Sequence, residues 1–385
     1  MNLHSKICAF LEENKNNDWK TILKKEYCIR VKETGPYAIF NYTVGCDFGN
    51  PIVQEARGII INLETLEVVC WPFRKFGNYN ESYADAIDWR TAKVQEKVDG
   101  SIIKLWYDAL SSDWKFATNG TIDASEAGIG ESFDQIFLDV ILKSENYKDI
   151  QFEALNKDYT YIFELTSPQT RVVVKYPKTY LYHIGTRNNK TGEEYDLDIG
   201  IEKVKMYALS SLEECIEAVK TLNSSKDTSQ VENEGFVVVD SRWNRVKIKS
   251  PEYLFYHRLA SACRITKMQI CEAILNGTFD IPKMCENLPQ QARIFKFYDY
   301  QIEELIYRIE LTVAKARRIY EEYHNDRKLT AEVIGKQKFS KFAFAGLNNE
   351  MTAREMLARM EITKIVSLIP DYSEENMRTF WEEIR

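Results

Sequence analysis

Hydrophobic and polar positions change rhythm twice along the chain. Near the start, Ile7, Phe10 and Leu11, then Trp19, Ile22 and Leu23, recur at three- and four-residue spacing and predict two short helices. Short β-branched and aromatic runs follow: Tyr37–Tyr42, Gly58–Leu63, Val68–Trp71, Val94–Lys97, Ser101–Tyr107, Tyr159–Leu165, Arg171–Val174, Tyr180–Thr186, Gly235–Val239 and Arg245–Lys249. Gly, Asn and Asp punctuate them, so each run predicts a strand, and Asn188–Glu193 reads as a hairpin turn. At Ser250 the helical rhythm returns. Ser250 can cap free N–H groups and Pro251 suits the first helical position. Tyr300–His324 lacks Gly and Pro, and Ile302, Leu305, Ile309, Val313, Ala316, Tyr320 and Tyr323 repeat at three and four residues. Thr352-Ala-Arg-Glu355 is a capping box, and Ser373 is placed to cap a last helix reaching Ile384. The pattern predicts an α+β protein, with a strand-rich domain over 1–250 and an all-α domain over 251–385.

Composition narrows the class without choosing a function. The 385 residues are 44% hydrophobic and 28% charged, as expected for a globular chain of two or three domains. No apolar run approaches the ~18–20 residues that span a bilayer, and the N-terminus lacks the apolar core of a signal peptide. No membrane partner is expected. Eight scattered cysteines without a CxxC, and only four histidines, speak against a disulfide framework or a zinc site. Reduced thiols in the cytoplasm are the better expectation. The net charge of −7 is uneven, because residues from Leu254 onward carry 20 Lys+Arg against 19 Asp+Glu. A polyanionic partner would therefore have to meet local basic faces.

The chemistry lies in the strands. Lys97-Val98-Asp99-Gly100-Ser101 joins two of them, and on its own reads as a polar turn. In Tyr161-Ile-Phe-Glu-Leu165, Glu164 faces away from Tyr161, Phe163 and Leu165. Glu234 opens the strand Gly235–Val239, and Lys247 and Lys249 share one face of Arg245–Lys249. Singly, each suits a solvated strand face. Together they supply a lysine nucleophile, two further lysines and two acids, the inventory that nucleotidyl transfer needs. A free lysine is protonated at neutral pH, and neighbouring cations with partial burial lower its pKa. Lys247 and Lys249 are expected to do this for Lys97 while stabilising phosphate charge. Glu234 is a reasonable magnesium ligand or water-holder.

The ordered series KVDGS (97–101), FELTSP (163–168), LYHIGTR (181–187), EGFVV (234–238) and VKIKS (246–250) resembles the motifs of the covalent lysyl-adenylate ligases and capping enzymes. Ala56-Arg57-Gly58-Ile59, Phe73-Arg-Lys75-Phe76-Gly-Asn78, Pro168-Gln-Thr-Arg171 and the helical tail make it most similar to the bacteriophage-type RNA ligase 1 family. The resemblance implies an antiparallel-sheet nucleotidyltransferase domain, followed by a helical domain that selects RNA. It further implies Lys97 as the residue that takes AMP, Glu164 on the ribose, and Glu234 near the metal and α-phosphate. Lys247 and Lys249 would contact phosphate, Arg57 and Lys75 would lie around the phosphates or the lysine, and Ile184 and Val237 would flank adenine. ATP with Mg2+ or Mn2+ would be the cofactors. The partner would be RNA with 5′-phosphate and 3′-hydroxyl ends, with nicked tRNA as the implied case. Two positions depart from the pattern: Gly77 where a second aromatic is expected, and Asn119 where the family often has a base.

Other readings differ in testable features. A DNA ligase or a GTP-using capping guanylyltransferase would usually append a β-barrel, against the helical rhythm after Ser250. A non-catalytic nucleotide- or RNA-binding relative need not keep Lys97 and both glutamates. In the tail, Lys315-Ala-Arg-Arg318, Arg327-Lys328 and Lys336-Gln-Lys338 with Lys341, interleaved with Tyr320, Tyr323, Phe339 and Phe342, suit RNA contact or a solvated helix face.

Overall fold

The computed structural model describes residues 4–126, 128–129, 131–143, 152–223, 231–261, 266–275, 281–336, 339–348, 351–373 and 376. The expected last helix after Ser373 and the pair Gln337-Lys338 lie outside them. The chain divides into two compact units, the first made mostly of residues up to Phe255 and the second of those from Tyr256 onward.

The first unit opens with helices α1 (Lys6–Glu13) and α2 (Trp19–Glu26), each started by a side-chain cap, Ser5 and Asp18. Strands β1 (Ile29–Thr34), β2 (Tyr37–Tyr42), β3 (Arg57–Asn62) and β4 (Glu67–Cys70) then pair in sequence order, with the short α3 (Pro51–Glu55) ahead of β3. Next come β5 (Lys93–Lys97), β6 (Ser101–Asp108), β7 (Asp113–Thr118), a two-residue pair β8 (Gly128–Ile129) and β9 (Glu131–Ser132), and α4 (Phe133–Lys143). The remainder is β10 (Tyr159–Thr166), β11 (Tyr180–Asn188), β12 (Glu194–Tyr195), β13 (Met206–Tyr207), α5 (Leu212–Thr221), β14 (Gly235–Val239) and β15 (Arg245–Lys249). One antiparallel sheet has the order β12-β11-β10-β6-β7, another β13-β5-β14-β15.

Alternation sets the faces of these sheets. Ile103, Leu105, Tyr161, Phe163 and Leu165 point to one side of the five-stranded sheet, where Ile136, Phe137 and Ile141 of α4 cover them. On the other side Ile162, Phe73 and Phe76 form a cluster that takes in Ile102, Ile184 and Val237. That cluster joins the five-stranded sheet to β14, so Glu164, one step along from Ile162, is turned toward the sheet that carries Lys97.

Arg171–Val174 is not a strand. Its backbone N–H groups have a different acceptor: Val173 and Val174 donate to Asp99 Oδ2 at 2.9 and 2.8 Å. Two glycines are dictated by close approach. A Cβ on Gly235 (φ 144°) would lie 2.2 Å from the carbonyl oxygen of Ile248, and one on Gly100 would lie 2.5 Å from that of Leu165.

The second unit is helical. Helix α6 (Pro251–Ser261) leads toward it from the first, and Ser250 Oγ accepts from Tyr253 N at 3.2 Å as its cap. After α7 (Lys267–Leu275) and α8 (Ile281–Asn287), the long α9 (Ala292–Glu322) buries Phe295, Phe297, Ile302, Ile309 and Val313. Helices α10 (Arg327–Ile334), α11 (Ser340–Asn348), α12 (Ala353–Ala358) and α13 (Ile362–Val366) complete the unit, with the Thr352 capping box formed. Among the described residues no helix is long and apolar enough to cross a membrane.

Gly235→Ala is expected to destabilise the first unit by at least about 2 kcal/mol, because the contact is with backbone and cannot be relieved by a rotamer change. A thermal melt matching that of the unsubstituted protein would contradict this.

Candidate active site

Antiparallel register brings the chemistry together. On the central strand β14, Gly235 pairs with Lys97 on one side and Lys249 on the other. Glu234, just before it, therefore meets both lysines: Lys97 Nζ lies 2.7 Å from Oε2 and Lys249 Nζ 2.7 Å from Oε1. The carboxylate is 3% exposed and the two lysines 19% and 17%. Lys249 also lies 5.2 Å from the centre of the Tyr253 ring.

Asp99 fixes the turn after Lys97. It accepts from Val173 N, Val174 N and, at 2.7 Å, Tyr253 Oη, while its own N–H donates to Tyr176 Oη at 3.1 Å. Three donors thus hold one buried carboxyl group, and a fourth contact holds its backbone. Asp-Gly in a turn is too common a pair for the sequence to have revealed this role.

Segment 75–79 runs along the free edge of β15. Lys247 N donates to Gly77 O and Tyr79 N to Lys247 O, both at 3.0 Å. Gly77 is tight as well, since a Cβ there would meet Tyr83 and Ala84 at 3.2 Å. The aromatic expected at that position is supplied from elsewhere: the Lys75 ammonium lies 4.8 Å from the Phe48 ring centre and 5.7 Å from that of Tyr42. Phe76 lies beneath two cations, Lys247 at 4.5 Å and Arg57 at 5.5 Å. Arg57, Lys75, Lys97 and Lys249 all lie close enough to act on the Lys247 charge, so the five are neighbours.

Ile184 owes its position to a β-bulge. Ile162 pairs with Gly185 and Phe163 with His183, which leaves Ile184 as the extra residue. The buried His183 ring holds the bulge, with Nε2 2.9 Å from both Gly185 O and Thr186 Oγ1 and Nδ1 3.0 Å from Lys203 Nζ. Burial and the Lys203 charge push its pKa down to about 4, so the ring is neutral, with Nε2 as donor and Nδ1 as acceptor. Ile184 and Val237 pack in one cluster with Phe73, Phe76 and Ile162.

Electrostatics overturn one expectation. Burial does pull the Lys97 pKa down, but the Glu234 and Glu164 carboxylates and the Glu234 hydrogen bond outweigh it, and the pKa stands above the ordinary lysine value. Glu234 is held low: burial raises its pKa, and the charges of Lys97 and Lys249 more than compensate. The depressed amine is Lys247, brought to about 6 by burial and by Arg57, Lys75, Lys97 and Lys249. Burial likewise lowers Lys75, with Arg57 adding to it. Glu164 is raised to about 7, chiefly by burial, with Glu234 adding to it. Neither the Glu164 carboxylate nor the Lys247 amine has a hydrogen-bond or ion-pair partner among the described residues. Both are open to a ligand.

Asn119 carries no charge to the site. Its backbone carbonyl packs 2.6 Å from where a Gly58 Cβ would sit, and its Oδ1 is buried without a partner. Beside it the buried Lys104 donates to Gly58 O, with its pKa lowered to about 8 by burial.

In the helical unit, Lys315, Arg318, Arg327, Lys328 and Lys341 are exposed, and Arg317 donates to Gly346 O at 3.1 Å. Tyr323 is exposed, Tyr320 half-buried, and Phe339 and Phe342 pair with each other.

Residues 55–253 match a family described as RNA ligase. A putative bifunctional polynucleotide kinase/RNA ligase of Autographa californica nuclear polyhedrosis virus is 31% identical over 255 residues, which are 61% of this chain and 35% of that protein. The match thus spans about a third of the viral relative. An RNA ligase of Rhodothermus phage RM378 is 27% identical over 321 residues, 67% of this chain and 72% of that one. Among solved structures, an archaeal ATP-dependent RNA ligase aligns over 76% of this chain and 74% of its own, at 12% identity and a TM-score of 0.42.

With Glu234→Gln, the Lys97 pKa is expected to fall, because burial remains and the larger of the opposing charges is gone while that of Glu164 stays. Lysine side-chain NMR titration reads this directly, and an unmoved Lys97 resonance would contradict it.

Proposed function

The chain belongs to the RNA ligase family of the phage RNA ligase 1 type, and from that membership we propose that it is an ATP-dependent RNA ligase working through a covalent lysyl-AMP. The observation that carries the proposal is the contact of the Lys97 amine with a buried glutamate, 2.7 Å away, that also holds Lys249, with Arg57, Lys75 and Lys247 close by. In this reading Arg57, Lys75, Lys247 and Lys249 bind the triphosphate, Glu164 accepts from the ribose hydroxyls, and Ile184 and Val237 flank the adenine.

Lys97 must lose a proton before it can attack, and Glu234 is the carboxylate in direct contact with it. The Nζ lone pair then forms a bond to the α-phosphorus as the bond to pyrophosphate breaks. Lys247 and Lys249 offset the charge that develops on the phosphate oxygens. The adenylyl group passes to an RNA 5′-phosphate, giving a 5′–5′ pyrophosphate linkage. A 3′-hydroxyl attacks that activated phosphorus, a phosphodiester forms, and AMP leaves. A divalent cation on the nucleotide would add charge neutralisation at the departing pyrophosphate. The hard oxygens of Glu234 and Glu164 suit Mg2+ or Mn2+ held mainly by phosphate and water. Among the described residues no cluster of three such side chains forms a cage for a metal. The helical unit, with exposed Lys315, Arg318 and Tyr323, would select the RNA, and repair of broken tRNA is the role that fits the family resemblance.

Incubation with α-labelled ATP and a divalent cation should label the protein covalently, and Lys97→Ala should abolish the label. Transfer of label from GTP instead would point to capping chemistry, and no label from either to a non-catalytic relative.

Binding of inorganic tripolyphosphate without metal should take up protons between about pH 6 and 8. Lys247 is largely neutral above its pKa of about 6, and an adjacent polyanion favours its charged form. Affinity should therefore weaken as pH rises through that window. Calorimetry in buffers of different ionisation enthalpy measures the uptake; proton release would show that the sign is wrong.

A further inference from the structure

The face that carries Lys97 continues along the sheet away from the phosphate-side cations. Strand alternation puts Lys93 and Gln95 on the Lys97 side of β5, and Arg245 on the Lys247 and Lys249 side of β15. At that end lies a cavity of about 290 Å³, lined in part by Gln95, Ile184, Gly185, Val239, Trp243 and Arg245. Its size is at the low end for small-ligand pockets. Four residues of strand separate Lys97 from Lys93, about 13 Å at strand rise. That is the scale of a nucleotide from α-phosphorus to the far edge of its base.

Trp243 is the anomaly in this wall. It sits in the β14–β15 hairpin turn with φ 64°, in the left-handed region that such turns normally give to Gly or Asn. Asp240 builds the turn, accepting at Oδ1 from Arg242 N and Asn244 N at 2.9 and 3.0 Å and at Oδ2 from Asn244 Nδ2 at 2.9 Å. The turn thus has its own fastening and does not need an indole. A bulky side chain held in an unfavourable backbone region, half-buried at a cavity mouth, is a reason to look for a ligand role. Arg245, whose guanidinium lies 5.5 Å from the Trp243 ring and 4.1 Å from that of Phe73, is held by Glu194 at 2.6 Å and packs the floor beside it.

We propose that Trp243 is a wall of the base-binding pocket and stacks on the purine of the bound nucleotide. This rests on the nucleotide reading above. An indole face accepts any purine, so Trp243 adds affinity for the base and leaves the choice between purines to polar groups.

The test compares Trp243→Gly and Trp243→Phe in the full chain, with ATP and inorganic tripolyphosphate as probes in calorimetry. Glycine relieves the backbone and so offsets part of the lost indole packing, and Trp243→Gly should still fold with a cooperative melt. Its ATP affinity should drop roughly tenfold, the order of base–aromatic stacking, with tripolyphosphate affinity unchanged. Trp243→Phe should recover most of the loss. Unchanged ATP affinity in Trp243→Gly would overturn the proposal, and so would an equal loss for both probes, which would make the indole a general support. If the unsubstituted protein binds tripolyphosphate but gains nothing from adenosine in ATP, and forms no labelled adduct, the nucleotide reading itself fails as well.

Discussion

One carboxylate organises this site. Glu234 is almost wholly inaccessible, and an ionised carboxylate there is tolerable only because an ammonium group meets each of its oxygens. Those ammonium groups arrive from β5 and β15, the two neighbours of β14, so the ion triad also closes the sheet. The glycine that follows is equally constrained, since any Cβ at 235 would strike the β15 backbone. Charge pairing and close strand approach therefore specify the same register. A slip of one residue would bury an unpaired acid and turn both lysines to the wrong face.

The surrounding cations pose the opposite problem. Arg57 and Lys247 crowd around Phe76, with Lys75 close enough to act on both. The molecule relieves part of that repulsion by letting Lys247 shed its proton near neutral pH. A polyanion reverses the balance, since each phosphate oxygen that arrives restores the charged form. The crowded cations thus suit the class of ligand proposed for them.

How much of this was legible in the sequence depends on the range of the interaction. The two rhythms were readable because alternation and three-to-four spacing are local, and the faces of Glu164, Lys247 and Lys249 followed from strand period alone. The caps at Ser250 and Thr352 were readable for the same reason. Arg171–Val174 was misread because β-branched composition says nothing about which acceptor the amides find, and here it is Asp99. The bulge that re-aims Ile184, the His183 ring that holds it, and the left-handed turn at Trp243 depend on partners in three dimensions. Motif spacing carries no trace of them.

The sign of the Lys97 shift shows where an inventory of residues stops being enough. From the list alone, two lysines beside a third should depress its pKa. Geometry decides otherwise, because Glu234 lies between Lys97 and Lys249 and screens one from the other, while Lys247 has no such intermediary. The same five charged side chains thus give one lysine held as ammonium and another largely neutral. It follows that the arrangement as it stands does not prepare Lys97 for the attack proposed for it. Anything that draws Lys249 toward phosphate, or draws the carboxylate toward a cation, loosens the hold on Lys97, so in the proposed reaction activation arrives with the ligand. On that proposal, a site built this way keeps its amine protonated, and hence unreactive toward stray electrophiles, until a nucleotide is in place.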